Sequence, residues 1–363
     1  MPRLRAPALL AAALVALLAA TACSRAEPAQ PEAAAPVDGG VAPEVRLGYF
    51  PNVTHAPAII GVEQGFFAQE LGGTTLTTQT FNAGGDAVNA LLGGSLDVTY
   101  IGSGPAINAY AKSEGGVRLI AGATAGGAQL VVRPGITSPD QLRGLTIATP
   151  QQGNTQDIAL KKWLPENGLT AGDGAQDVHI ANLDNPRTLD AFRQGSVDGG
   201  WLPEPWSSRL VLDAGASVLL DERDLWPGGE FPTTVMIVRA EFLQQYPQTV
   251  DALLRAHLRA IDLANGDQAQ ARTIVNQGLQ KLTGNALADP VIERAFQNIT
   301  LDPDPLASTF PQLAQDSVTA GITETATDLS GFVDVTALNA QLQAAGKPAV
   351  DAAGLDQPGG IGS

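Results

Sequence analysis

The loop "ATPQQGNTQDIALKK" (148–162) brings Gly153, Asn154, Thr155 and Gln156 to the point where a helical pattern begins. The first N–H groups of a helix have no partners within it and its dipole is positive at that end. Such an end holds a sulfonate, nitrate or carboxylate without a basic side chain. That matters here, because no lysine precedes Lys161 in the motif. Asn154 or Thr155 suits plain capping of the same helix equally well, although capping alone does not call for the glycine. A second such end is "NAGGDAVNALLGG", with Asn82, Gly84 and Gly85, and "IGSGPA" places Ser103 and Gly104 at the finish of the next strand. Both loops offer N–H or hydroxyl donors to one anion, or serve only turn geometry.

In "PNVTHAP", Asn52, Thr54 and His55 follow a predicted strand end. His55 either donates a neutral hydrogen bond to a ligand or satisfies its own loop. In "GGWLPEPW", Trp201 and Trp206 offer aromatic faces to the organic part of a ligand, or belong to the core. Glu204 between them is unfavourable beside a bound anion, so it accepts structural hydrogen bonds or pairs with a ligand amine. The chemistry is that of binding. The sequence contains no H-E-x-x-H, Walker A, C-x-x-C or G-x-S-x-G motif, and "IGSGP" lacks the spacing of a nucleophile elbow. His55, His179 and His257 are scattered, and Cys23 is the single cysteine, so no metal site and no cofactor is expected.

Residues so placed need strand ends to carry them. "EVRLGYF" (44–50) alternates as a strand, "AIIGVEQGFFAQELG" has helical spacing, and "TLTTQTF", "NAGGDAVNALLGG" and "SLDVTYIG" continue as strand, helix and strand. From residue 130 the plan restarts with "QLVVRPG", a short capped helix "SPDQLRG", and "LTIATPQQGNTQDIALKKWLPENGL". Then come "DVHIANL", "NPRTLDAFRQG" with Pro186 suited to a first turn, and "SVDGGWL". The two series share a repeat at an offset of 101 residues: Leu91 matches Phe192, Gly94 matches Gly195, Ser95 matches Ser196, Asp97 matches Asp198, and Tyr100 matches Trp201. After Trp226 one strand and then helical segments follow to about residue 346. The prediction is an α/β chain of two lobes: 44–130 and 232–346 forming lobe 1, 131–231 forming lobe 2, and a disordered tail at 347–363. Two crossings make a hinge, and ligands of parallel sheets sit beyond the carboxyl ends of the strands, in the cleft.

A chain of 363 residues, 44% hydrophobic and 16% charged with 40 glycines, is long enough for two such lobes. Its start, "MPRLRAPALLAAALVALLAATAC", carries Arg3 and Arg5, an apolar run and small residues before Cys23, the pattern of an export signal over 1–22. Removing it takes away two arginines and no acid, moving the net charge from −16 to −18, which excludes nucleic acid as a natural partner. The Pro-rich segment 23–43 has no apolar period and predicts a tether of roughly 25 Å mean reach.

From "VRLGYFPNVTHAPAIIGVEQGFF" through "GGSLDVTYIGSGPAINAYAKSEG", "RGLTIATPQQGNTQD" and "GSVDGGWLPEPWSSRLV" to "YPQTVDALLRAHLRAIDLAN", the sequence resembles the substrate-binding proteins of ABC importers for aliphatic sulfonates, taurine and nitrate. "GNTQD" and "PEPW" look most like the sulfonate branch. The resemblance implies a two-lobed type II periplasmic-binding-protein fold with a central hinge, closure of a monomer around one small anion, and delivery to ABC permease subunits. "ATAC" resembles a lipobox with Ala20 where leucine is commoner, implying a lipid anchor on Cys23 and an extracytoplasmic, membrane-attached protein. The alternative on the same fold is an enzyme of pyrimidine-precursor synthesis, which the motifs do not support.

Overall fold

The computed structural model describes residues 40–357; the export signal, Cys23, most of the tether and residues 358–363 lie outside the described residues. The chain alternates strand and helix from β1 (Glu44–Tyr49) through β2 (Thr75–Thr80) to β3 (Val98–Ile101). Helices Ala56–Glu63 and Phe66–Leu71 join the first pair and Gly84–Leu92 the second. β1 therefore pairs parallel with both neighbours, which strands joined by helical crossovers can do and hairpins cannot. The threonine-rich β2 takes the polar sheet edge.

β4 (Val117–Gly126) leads directly into β5 (Ala128–Val132), and the strand-helix plan begins again. β6 (Thr146–Thr149), β7 (His179–Asn182), β8 (Gly199–Pro203) and β9 (Ser217–Asp221) join β5 in a second sheet of order β7-β6-β8-β5-β9. β10 (Pro232–Arg239) then returns to the first sheet, lying antiparallel between β3 and β4, and the short β11 (Ile299–Thr300) completes the order β11-β4-β10-β3-β1-β2.

Burial follows strand alternation. In β5, Leu130 and Val132 enter one core with Ile147, Trp163 and Trp201, while Val131 faces the other side with Ala148, Phe192 and Leu202. The first sheet has one larger core, because the helices from Pro247 onward also pack on it. β4 and β9 form where the sequence pattern predicts no strand. The run "VRLIAGATAG" has no alternation because β4 is buried along almost its whole length.

Two connections cross between the sheets. At the first, Gly126 and Gly127 have φ of 72° and 75°, a left-handed conformation that side chains resist, and a Cβ on Gly127 would stand 2.4 Å from Ile299. At the second, the Phe231 carbonyl accepts from the Gly126 N–H at 3.1 Å, so the crossings are bonded to each other as a two-stranded hinge. The expected disordered tail is corrected over 347–357. Val350 N–H donates to Asn339 Oδ1 at 2.8 Å, and Val333 N–H donates to the Leu355 carbonyl at 3.1 Å, which fastens this segment to lobe 1.

Candidate functional site

Five helices of eight or more residues begin around one cavity between the sheets: Ala56–Glu63, Gly84–Leu92, Ser103–Lys112, Thr155–Glu166 and Asn185–Gln194. In none of them does the N-cap side chain bond a free N–H. Thr155 Oγ1 instead accepts from the Gly104 N–H of the opposite lobe at 3.1 Å, so capping does not account for Asn154 or Thr155. The two glycine loops are brought together, since a Cβ on Gly84 would lie 2.8 Å from Asn154 Oδ1.

The cavity has a volume of about 40 Å³. Of the residues singled out in the sequence, Asn52, Thr54, His55, Asn82, Gly84, Asn154, Thr155 and Gln156 line it. No Lys, Arg, Asp or Glu is in its wall. His55 is buried, its ring stacked on Phe50 with centroids 4.5 Å apart, and its Nδ1 accepts from the Phe50 N–H at 3.2 Å. That bond leaves the proton on Nε2. Burial pushes the His55 pKa down to about 3, so the ring is a neutral N–H donor through the physiological range.

Asn52 is fixed by the opposite lobe, its Oδ1 accepting from Trp206 Nε1 at 2.8 Å. Two further polar atoms in the wall, Thr234 Oγ1 and Asn185 Oδ1, are buried and have no hydrogen-bond partner. Both retain hydrogen-bonding capacity in the cavity wall. Sequence reasoning missed Thr233, Thr234 and Asn185. Asn185 sits after a strand end, as the cleft rule requires, and Thr233 and Thr234 sit on the returning hinge strand. Both positions were available signals.

Several expected contacts are corrected. Trp201 is fully buried in the core of lobe 2, edge-on to Trp163 at 6.0 Å, with Nε1 donating to Glu222 Oε2 at 2.7 Å. Glu204 is also fully buried, but its carboxylate accepts from Asn298 Nδ2 at 2.6 Å, Arg294 at 3.2 Å and the Ser208 N–H at 3.2 Å. It is therefore a buried structural acceptor and does not line the cavity. Gly153 gives its N–H to Asp157 Oδ2 at 2.8 Å, which also pairs with Lys161 at 2.8 Å. Ser103, Gly104 and Gly85 lie behind the wall. Gly104 meets Thr155 across the cleft, and Gly85 meets the Gln151 side chain. Trp206 lies outside the cavity, on an adjoining groove.

No metal-binding cluster of His, Cys, Asp or Glu occurs among the described residues, and none of their helices is long and apolar enough to cross a membrane.

A family model described as the NMT1-like family matches residues 38–277. The taurine-binding periplasmic protein of Escherichia coli (strain K12) is 30% identical over 208 residues, spanning 56% of this chain and 62% of that protein. The nitrate import ATP-binding protein NrtC of Synechocystis sp. (strain ATCC 27184 / PCC 6803 / Kazusa) is 26% identical over 239 residues, 60% of this chain and 34% of that protein. The chain thus spans less than two thirds of the length of these relatives. Among solved structures, the alkanesulfonate-binding protein SsuA from Xanthomonas axonopodis pv. citri bound to MOPS superposes with a TM-score of 0.65 at 20% identity, covering 78% of this chain and 96% of that one. The periplasmic nitrate-binding protein NrtA from Synechocystis PCC 6803 gives 0.68 at 17%, covering 84% and 89%. At these identities the likeness is one of fold, and that fold is the two-lobed periplasmic-binding-protein architecture.

Proposed function

The chain belongs to the NMT1-like family, and from that premise we propose that it is the extracytoplasmic binding component of an ABC importer, capturing a small oxyanion, an aliphatic sulfonate above all. The observation that carries this reading is the convergence of several helix N-termini on a cavity whose wall holds no Lys, Arg, Asp or Glu. Amide dipoles, the His55 Nε2–H and the Thr234 hydroxyl together supply donors to an oxyanion, while no carboxylate in the wall repels it. Closure of the two lobes excludes water, and in that low dielectric such donors hold an anion more strongly than they would at a surface. The binding component carries no catalysis in this reading. Cys23 bears the lipid that keeps the protein at the membrane beside its permease, and mass spectrometry of membrane-extracted protein tests this.

Taurine is disfavoured by the occupied carboxylate of Glu204, even though a taurine-binding protein is among the relatives. Nitrate is the second reading, favoured by the cavity volume, which holds about three water-sized groups.

Thermal unfolding with millimolar methanesulfonate, taurine and nitrate tests the proposal. A ligand at 100 times its Kd adds about 2.7 kcal/mol to stability and raises Tm by several degrees. The expected order is methanesulfonate above taurine, unchanged between pH 5 and 8 because His55 stays neutral there. No rise with any anion overturns the assignment.

A further inference from the structure

Asn52 stands in the cavity wall on lobe 1, yet its side chain is held by lobe 2. Its backbone is fixed within its own loop, the N–H donating to the Phe50 carbonyl at 2.8 Å and the carbonyl accepting from the His55 N–H at 3.0 Å. Its Oδ1 accepts across the lobe boundary, at 2.8 Å, from Nε1 of Trp206, the first residue of the helix Trp206–Ala214. Trp206 is itself buried, with the Arg209 guanidinium 4.9 Å over its ring, and Arg209 is paired with Asp213 at 3.3 Å.

The chemistry of the indole decides which way the amide points. An indole N–H donates and does not accept, whereas an asparagine amide presents an acceptor on one side and two donors on the other. Turning the Asn52 amide over would set its NH2 group against the indole N–H, two donors face to face with no acceptor between them. Trp206 therefore claims Oδ1 and leaves Nδ2 as the free end of a buried side chain that lines the cavity. No protein acceptor among the described residues takes that Nδ2. The bond crosses the lobe boundary, so it exists only with the lobes together.

Resting on the proposed oxyanion capture, we propose that Trp206 is a positioning residue: without touching the ligand, it locks the Asn52 amide with its donor side inward as the lobes meet. Closure then adds an anion donor to the wall and disfavours a cationic group that needs an acceptor there.

Calorimetric titration with nitrate and methanesulfonate of the wild type, Trp206→Phe, Asn52→Ala and the double variant tests this role. Nitrogen-15 spectra of asparagine-labelled protein accompany it, the Asn52 side-chain signal being the one that Asn52→Ala removes. Asn52→Ala should weaken both anions about tenfold, the loss of one hydrogen bond to a charged group. Trp206→Phe keeps an aromatic ring in place and should weaken them several-fold, yet change nothing further in the Asn52→Ala background, because Trp206 acts through Asn52. In the wild type, nitrate should shift the Asn52 NH2 signal. Equal losses from Trp206→Phe in both backgrounds mean that Trp206 only packs the lobe boundary, and an NH2 signal unmoved by nitrate means that the amide does not face the ion. Either result overturns the proposal while the anion receptor stands. If neither anion binds the wild type, both readings fall.

Discussion

The repeated segments of the two lobes put the same residues to the same structural task, but with different degrees of redundancy. In lobe 1, Asp97 is buried and takes the Arg46 N–H at 2.9 Å, its guanidinium at 2.6 Å, and Arg239 at 2.9 Å. In lobe 2, Asp198 takes the Thr146 N–H at 2.9 Å and a single arginine, Arg133, at 3.3 Å, with its side chain partly open to solvent. The preceding glycines, Gly94 and Gly195, share φ of 74° and 80°. The repeated segment is thus a pin that ties the start of one strand to its neighbours. It is not a pair of ligand contacts, and this explains why Trp201 fails as a cleft wall: its counterpart Tyr100 is core as well.

The strongest way to sharpen the comparison is to remove both pins. Asp97→Ala leaves two arginines and a backbone N–H without their acceptor and should cost about 3 kcal/mol, against about 1 kcal/mol for Asp198→Ala in its more solvated setting. Urea unfolding monitored by tryptophan fluorescence gives both values; equal losses would mean that the second arginine and the deeper burial contribute nothing.

A smaller difference concerns pH. Burial lowers His55 and His257 in lobe 1 to about 3 and about 4, below the ordinary histidine value. The unfolded chain takes up those protons first, so this contribution is full at neutral pH and declines as pH falls below about 6.5. Burial raises Glu222 in lobe 2 to about 8, against the opposing hydrogen bond from Trp201. Its contribution is therefore full below the ordinary carboxylate value and is lost as pH rises through about 8. Glu222→Gln should raise Tm at pH 8.5 relative to wild type and change it little at pH 5. A Tm gain at both pH values would sink the linkage.

The smallest expected effect separates the two aromatic counterparts. The Tyr100 hydroxyl meets His257 Nδ1 at 2.9 Å, while His257 Nε2 bonds the Gly122 carbonyl at 2.8 Å. Tyr100→Phe keeps the ring and removes one buried hydrogen bond, a loss of about 1 kcal/mol. Trp201→Phe also opens space and should cost more, measurable in the same unfolding experiment.

Much of the fold was legible because each lobe writes its helices and strands with distinct periods and closes them with glycine. The hinge was legible from the return of a strand near residue 232. Lobe-facing loops such as 52–55, 82–84 and 154–156 followed from the strand-end rule. Side-chain direction was not legible. Trp201 and Trp206 stand five residues apart in one proline-rich stretch, and only packing decides that the first enters a core while the second reaches Asn52. Glu204 looked like a ligand group because its partners, Arg294 and Asn298, arrive from a helix some 90 positions later. Thr234 was hidden for the same reason, being delivered by a strand whose neighbours are remote in the chain.

Arg294 ties the helix Asp289–Gln297 of lobe 1 to three groups of lobe 2, Gln129 Oε1 at 2.7 Å, Ser208 Oγ at 2.7 Å and Glu204, all close to the Gly126–Gly127 crossing. Two bonded strands with this rivet beside them leave the lobes few relative orientations, so capture of an ion as proposed above would forfeit little orientational freedom.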